Sequence, residues 1–283
     1  MQKLAIAPFV DGFAFLEGPR WHRGRLWLSD MWGLAVWALR ADGAREKIID
    51  VPQRPSGIGF LPDGTPLVVS MADRRLYRIR SGALELHADL SRLASGDVND
   101  LLVDPQGRAY AGNFGYDILR GEAPRPTDLL LVTPDGVARV VARDLVFPNG
   151  MVLADGGRTL VVAETFAHRL SAFDVAADGA LSGRREFAAL GEYTPDGICL
   201  DRARGIWVAA FEQGEFLRVE EGGKITHAID AGGRRAVACQ LGGEDGRTLF
   251  CLTFDGTLHE ISGGARKARV ESARVETAGA GSP

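Results

Sequence analysis

The chain reads as an all-β protein folded as a six-bladed β-propeller. Three observations predict it: six segments share one turn-and-strand grammar, their turns recur at a long interval, and 36 of the 283 residues are glycine. So much glycine supplies many tight turns and argues against a helical protein. The turn glycines are spaced by roughly 40–50 residues, the period of four-stranded propeller blades. A β-sandwich would account for the short strands but not for that period.

In chain order the shared unit appears at 22–30 (HRGRLWLSD), 62–70 (PDGTPLVVS), 104–112 (DPQGRAYAG), 155–163 (DGGRTLVVA), 201–209 (DRARGIWVA) and 244–252 (EDGRTLFCL). The stretch 145–175 shows the grammar best. A Pro-Asn-Gly turn, an apolar run, an Asp-Gly-Gly turn, the run 159–163 and an alternating run ending at Asp174 follow one another, which is a strand meander. Further alternating strands are expected after several units, as at 75–79, 170–174 and 257–261. Residues 268–277 (ARVESARVET) also alternate and are expected to complete a blade begun near the N-terminus, so that no end of the ring is left open. Residues 120–128 and 183–194 are expected as insertions in rim loops. One domain is expected over 1–283, with 278–283 as a loose tail.

Composition narrows the function classes. At 46% hydrophobic and 25% charged residues the chain can bury a sizeable core. A net charge of -4 with scattered basic residues gives no footprint for nucleic acid and no basic anchor for a membrane surface. No apolar run approaches spanning length, and the N-terminus lacks a signal-peptide core. Cys199, Cys239 and Cys251 show no CxxC spacing and read as reduced, buried thiols of a cytoplasmic protein.

The strand preceding each turn should line the central channel. Aligned on their turns, these strands place Glu17, Ser56, Asn99, Asn149, Asp196 and either Ala238 or Cys239 at one level. Four of these, Glu17, Asn99, Asn149 and Asp196, are carboxylate or amide oxygen donors from different blades, two of them carboxylates. Such a ring, without His or Cys pairs at ligand spacing, suits a hard divalent cation such as Ca²⁺ or Mg²⁺. Asn and Asp beside Gly also form turns, but turn chemistry does not explain Glu17.

Other candidates carry less. The five histidines are scattered, no GxSxG elbow is present and no Gly-rich segment continues as a phosphate loop, so serine-hydrolase and nucleotide chemistry lack a basis. Trp32, Phe114, Tyr116, Phe166 and Phe211 follow strands near one end and could wall a pocket or simply pack.

Glu17-Gly18-Pro19, Asn99-Asp100 with 104–108, Pro148-Asn149-Gly150 and Pro195-Asp196-Gly197 together resemble the SMP-30/gluconolactonase/LRE-like family, in the family's order and over essentially the whole chain. The resemblance implies a six-bladed propeller with one catalytic divalent metal and hydrolysis of a small-molecule lactone. It places Glu17, Asn149 and Asp196 as metal ligands, Asp196 also as general base, and Asn99 at the substrate or the metal. Ser56, Phe114 and Tyr116 are then expected to contact substrate. Ca²⁺ is the first expectation for the ion, with Mg²⁺, Mn²⁺, Zn²⁺ and Fe²⁺ compatible. One position departs: animal gluconolactonases carry an arginine where this chain has Asp97, and the segment 113–117 (NFGYD) marks a branch of unassigned substrate. Aryl-ester or phosphotriester hydrolysis, and a non-enzymatic propeller with a structural cation, remain alternatives.

Overall fold

The structure, a computed structural model, describes residues 1–281 except for the side chains of residues 119, 258 and 259. Six small sheets form a ring, a six-bladed β-propeller. Each expected turn-and-strand unit supplies the second strand of a blade: Arg25–Asp30, Pro66–Ser70, Ala109–Asn113, Thr159–Glu164, Ile206–Ala210 and Thr248–Phe254. The strand before each turn is the innermost. These inner strands, of blades I to VI in order, are Leu16–His22, Pro55–Phe60, Val98–Val103, Pro148–Ala154, Pro195–Leu200 and Arg235–Gly242.

The ring closes through the N-terminus. Ala7–Phe13 is the outer strand of blade VI, antiparallel to Ala268–Arg274, which is the strand expected from the alternation at 268–277. Gln2–Leu4 then adds in parallel to the outer edge of blade V. Closure by both chain ends leaves the inner face of each blade covered by its neighbours.

Two expectations need correction. Residues 257–261 do not form a strand; Leu258–Ile261 is a short helix, whose capping box joins Thr257 and Glu260. The capping pattern overrides the alternation, and Ala268–Arg274 takes the place in the sheet. Residues 183–189 are not a rim insertion either, because Leu181–Ala189 is the outer strand of blade IV. Register shifts opposite this strand absorb its extra residues. Near the C-terminus, where a loose tail was expected, Ala278 to Ala280 are hydrogen bonded to Arg202, Gly246 and Leu200; residues 282–283 lie outside the described residues.

The polar skeleton explains why the turns hold. Asp104 accepts from the backbone N–H of Gln106 and Arg108, both at 2.9 Å, and from Arg108 Nε at 2.6 Å. Asp201 does the same in blade V with Ala203, Gly205 and Arg218. A buried carboxylate that takes backbone N–H groups fixes a turn and satisfies itself. Among the described residues no helix is long and apolar enough to cross a membrane.

Candidate active site

All six inner strands break their ladder at one place. The pairing skips between Glu17 and Arg20, Pro55 and Ile58, Val98 and Leu101, Pro148 and Met151, Pro195 and Ile198, and Ala236 and Ala238. Such a bulge turns residues out of the ladder and re-aims their side chains. Ser56, Asn99, Asn149 and Asp196 are the first residues so released. Glu17 holds the matching position in blade I, since Leu16 faces Asp30 as Pro148 faces Glu164. The sixth position falls to Val237, not to Ala238 or Cys239. Counting back from the turn misplaces it because this inner strand runs to eight residues. Cys239 lies deeper, its Sγ 3.8 Å from that of Cys199.

The next residue in each strand is Gly18, Gly57, Asp100, Gly150, Gly197 or Ala238. The small residues let neighbouring inner strands touch. A Cβ on Gly150 would stand 2.5 Å from the Ile198 nitrogen, and one on Gly18 would stand 2.6 Å from the Ser56 carbonyl oxygen. Polar residues at the ends of the second strands fix the chain that leads into the layer. Asp30 accepts from Ala14 and Phe15 N–H, Asn113 from Gly96 N–H, and Glu164 from Val146 N–H. None of these three was singled out from the sequence; the signal was a polar residue at the end of a β-rich run.

The five polar members of the layer are all buried, Asp196 at 6% exposure and Glu17 at 7%. Their hydrogen bonding is sparse. Ser56 Oγ donates to Asn99 Oδ1 at 3.4 Å, Asn149 Nδ2 donates to Thr165 Oγ1 at 3.3 Å, and Glu17 Oε2 accepts from Gly18 N–H at 3.3 Å. Asp196 Oδ1 is buried with no hydrogen-bond partner, in contrast to the saturated Asp104 and Asp201. Burial, then the charges of Asp196 and Asp100, push the Glu17 carboxyl well above the usual carboxylate range. Burial and then Asp100 do the same to Asp196, with the nearby Asn149 amide acting the other way.

Asp100, given no role of its own in the sequence beyond the Asn99-Asp100 motif, and Arg20, not singled out there, form the floor of the site. Arg20 Nη2 lies 3.1 Å from Asp100 Oδ1 and also donates to the Leu101 carbonyl, while its Nη1 donates to the Pro19 carbonyl at 2.8 Å. Asp100 stands where five blades have Gly or Ala, and that exception was readable in the aligned strands. Toward the opposite end of the channel lies a separate cavity of ≈ 130 Å³, lined by Trp21, Met151, Ile198 and Leu241 among others.

One step outward from the polar layer, the mouth is made by Phe15, Arg54, Asp97, Phe147, Thr194 and Arg235. The first five share a backbone signature: the carbonyls of Phe15, Arg54, Asp97, Phe147 and Thr194 accept from Met31, Met71, Phe114, Thr165 and Phe211. Arg235 takes the corresponding place opposite Phe254. Phe114 stacks on Phe147 with centroids 4.5 Å apart, and Phe166 meets Phe147 edge-on at 4.9 Å. Tyr116 is buried behind Phe147. Trp32 and Phe211 sit under Arg54 and Arg235.

Among the described residues no three His, Cys, Asp or Glu side chains gather as a metal site. The polar layer does not depend on such a trio, since it combines two carboxylates with two amides and a hydroxyl. That donor set suits a hard cation, and the unpartnered Asp196 Oδ1 is an acceptor such an ion would satisfy.

The chain is similar to a 6-deoxy-6-sulfogluconolactonase of Pseudomonas putida, 31% identical over 62% of this chain and 63% of that protein. It is 29% identical to a regucalcin of Danio rerio over 58% of this chain and 56% of that protein, so both matches span less than two thirds of the relative. A pentonolactonase of Haloferax volcanii is matched at 25% identity over 94% of this chain and 92% of its own length. Among solved structures, a calcium-binding regucalcin of Agrobacterium tumefaciens superposes with a TM-score of 0.83 at 22% identity, covering 100% of this chain and 98% of that one. A gluconolactonase of Xanthomonas campestris gives 0.75 at 23%, covering 95% and 89%. At these identities the structural likeness is one of fold. A sequence profile of the SMP-30/Gluconolactonase/LRE-like region matches residues 15–255, a span that contains every inner strand and the whole polar layer, and the chain belongs to that family.

Proposed function

We propose that the protein is a metal-dependent hydrolase that opens a lactone ring, acting on a small molecule in the cytoplasm. The observation that carries this reading is Asp196, a buried carboxylate with an unpartnered oxygen in a layer of oxygen donors at the mouth of the channel. The names of the relatives support it: a sulfogluconolactonase, a pentonolactonase and a gluconolactonase stand among them.

Glu17, Asn149 and Asp196 would hold the cation, with Ca²⁺ the first choice because two of the relatives are regucalcins, one described as calcium-binding. When bound, a divalent ion polarises the lactone carbonyl, favours charge on its oxygen and lowers the pKa of water. The chain's own residues do the rest. Asp196 accepts the proton of the attacking water on the carboxylate oxygen that the ion leaves free. Asn99, steadied by Ser56 Oγ on its Oδ1, orients the carbonyl or the water through its amide N–H. Phe147, with Phe114 and Phe166 behind it, excludes water from one side of the mouth. Two carboxylates against a doubly charged ion leave the centre near neutral, so that a neutral or anionic lactone can enter.

The aromatic wall also favours a second reading, hydrolysis of aryl esters or phosphotriesters at the same residues. Both are tested by stripping the protein with chelator and assaying an aldonolactone, a simple γ-lactone, an aryl ester and a phosphotriester before and after single metals are restored. Lactone opening lost with the metal and regained with one ion supports the first reading. Ester turnover without lactone opening supports the second. A fall in melting temperature on chelation with no turnover makes the cation structural and overturns both.

A further inference from the structure

The mouth above the polar layer has two unlike sides. Blades III and IV carry the aromatic wall of Phe114, Phe147 and Phe166. Blades II and VI, which flank blade I and its Glu17, each place an arginine in the same layer. Both guanidinium groups are held in position. Arg54 lies over the Trp32 ring at 5.1 Å, with its Nη2 2.5 Å from Asp97 Oδ2. Arg235 lies over the Phe211 ring at 5.1 Å, with its Nη1 2.6 Å from Glu212 Oε2 and its Nε 3.2 Å from the Gly256 carbonyl.

Each arginine is thus clamped between a ring and a carboxylate, a geometry that orders a long side chain before any ligand arrives. The Arg54 side chain is mostly buried, at 13% exposure, and its one hydrogen bond among the described residues is the contact from Nη2 to Asp97. The rest of its planar fork is left to the mouth. Such a fork matches a carboxylate, sulfonate or phosphate through paired N–H groups. The facing phenyl rings offer nothing to a hydroxyl, so a substrate hydroxylated on every face would leave polar groups unpaired against them.

We infer that Arg54, seconded by Arg235, selects a lactone that carries an oxyanion on one side and turns an apolar ring face toward Phe147. Asp97 is then a positioning residue: it holds the Arg54 guanidinium over the polar layer. This inference rests on the lactonase reading above and names the substrate class of that site.

The test uses a matched pair, a γ-butyrolactone with a carboxylate on its γ-carbon and the same lactone with the neutral carboxamide there. Wild-type holoenzyme is expected to favour the carboxylate in kcat/KM. In Arg54→Gln that preference should shrink about 10–100-fold, mostly through KM, the range for removing a charge-assisted hydrogen bond. Arg54→Lys should restore part of it, since charge returns without the fork, and it serves as the test if Arg54→Gln does not fold. Turnover of both lactones with no preference, or a preference unchanged in the Arg54 variants, overturns the inference and leaves the lactonase reading standing. Turnover of neither lactone while an aldonolactone is opened also overturns the inference, and opening of no lactone at all removes the lactonase reading instead. Calorimetric titration of the ring-opened dicarboxylate and its monoamide then decides the anion site by itself. Tighter binding of the dicarboxylate to wild type than to Arg54→Gln supports the site, and equal binding overturns it.

Discussion

Asp196→Asn separates the chemistry of the site from its stability. The substitution keeps the shape of the side chain and removes its charge. In the metal-free protein Asp196 is buried within reach of the Asp100 and Glu17 charges, and its Oδ1 has no partner. The amide of the variant keeps an oxygen there but no charge, and a charged group left unsatisfied in the interior costs about 1–3 kcal/mol or more. At roughly 2–4 °C per kcal/mol for a large domain, the metal-free variant should melt about 2–12 °C above metal-free wild type at neutral pH. The pH dependence carries the same signature. Because its folded pKa is raised, wild-type Asp196 favours folding fully only below its unfolded value near 3.8, and that contribution is lost as pH rises through the folded pKa. Differential scanning calorimetry across pH 4–8 should show the wild type falling relative to the variant. Adding the cation should reverse the order: an ion at 100 times its Kd contributes about 2.7 kcal/mol to the protein that keeps all its ligands. Turnover should meanwhile fall about 10²–10⁴-fold, the usual contribution of a general base. A variant that hydrolyses at the wild-type rate refutes the base assignment. A metal-free variant that melts lower than wild type, or a difference independent of pH, refutes the argument from buried charge.

Three other perturbations probe the scaffold. Gly150→Ala drives a methyl group to 2.5 Å from the Ile198 nitrogen and should destabilise by about 1–3 kcal/mol or more in urea unfolding, with a loss of metal affinity because Asn149 moves with it. Asp104→Asn breaks the buried pair with Arg108 and should lower stability by about 3–5 kcal/mol while kcat of the folded fraction stays at the wild-type value; a large drop in kcat would mean that the turn and the site are coupled. His87, held neutral by burial and Arg78, has its pKa lowered from 6.5 to about 4. Its contribution is therefore complete above pH 6.5 and is lost as pH falls toward 4, so His87→Gln should flatten the melting temperature over that window.

Much of the fold is legible because its signal is repeated. One Gly turn is weak evidence, but six at one period admit few architectures, and all six predicted turn-and-strand units became second strands. The two corrected segments are places where a local signal competed with the repeat. At 257–261 alternation said strand, while Thr257 and Glu260 spelled a helix start. At 183–189 the polar run (GRREFAA) had no clear period, and only pairing with Arg169–Val175 makes it a strand. Edge strands are set by their partner more than by their own residues.

The polar layer was legible for a different reason than the mouth around it. Glu17, Asn99, Asn149 and Asp196 sit at bulges that repeat in register, so position relative to the turn was enough to bring them together. The contacts of Arg54, Asp97, Arg20 and Asp100 depend on side chains that cross from one blade to the next, and no spacing in a sequence reports such a crossing. Asp97 shows what is lost. Taken alone, it is an acid in the mouth with no visible partner. In the structure the neighbouring blade supplies it: Arg54 reaches Asp97 from one repeat earlier, in the same layer of the mouth. The positive charge at this place in the mouth is thus that of Arg54, and the acid is its anchor. The double substitution Arg54→Asp with Asp97→Arg exchanges the partners and tests that reading. If the pair is interchangeable in place, the double variant should regain stability that either single variant loses, since each of those leaves two like charges 43 positions apart in sequence facing each other. The loss in the double variant should be smaller than the sum of the two single losses. Additive losses would show that Asp97 and Arg54 are held independently.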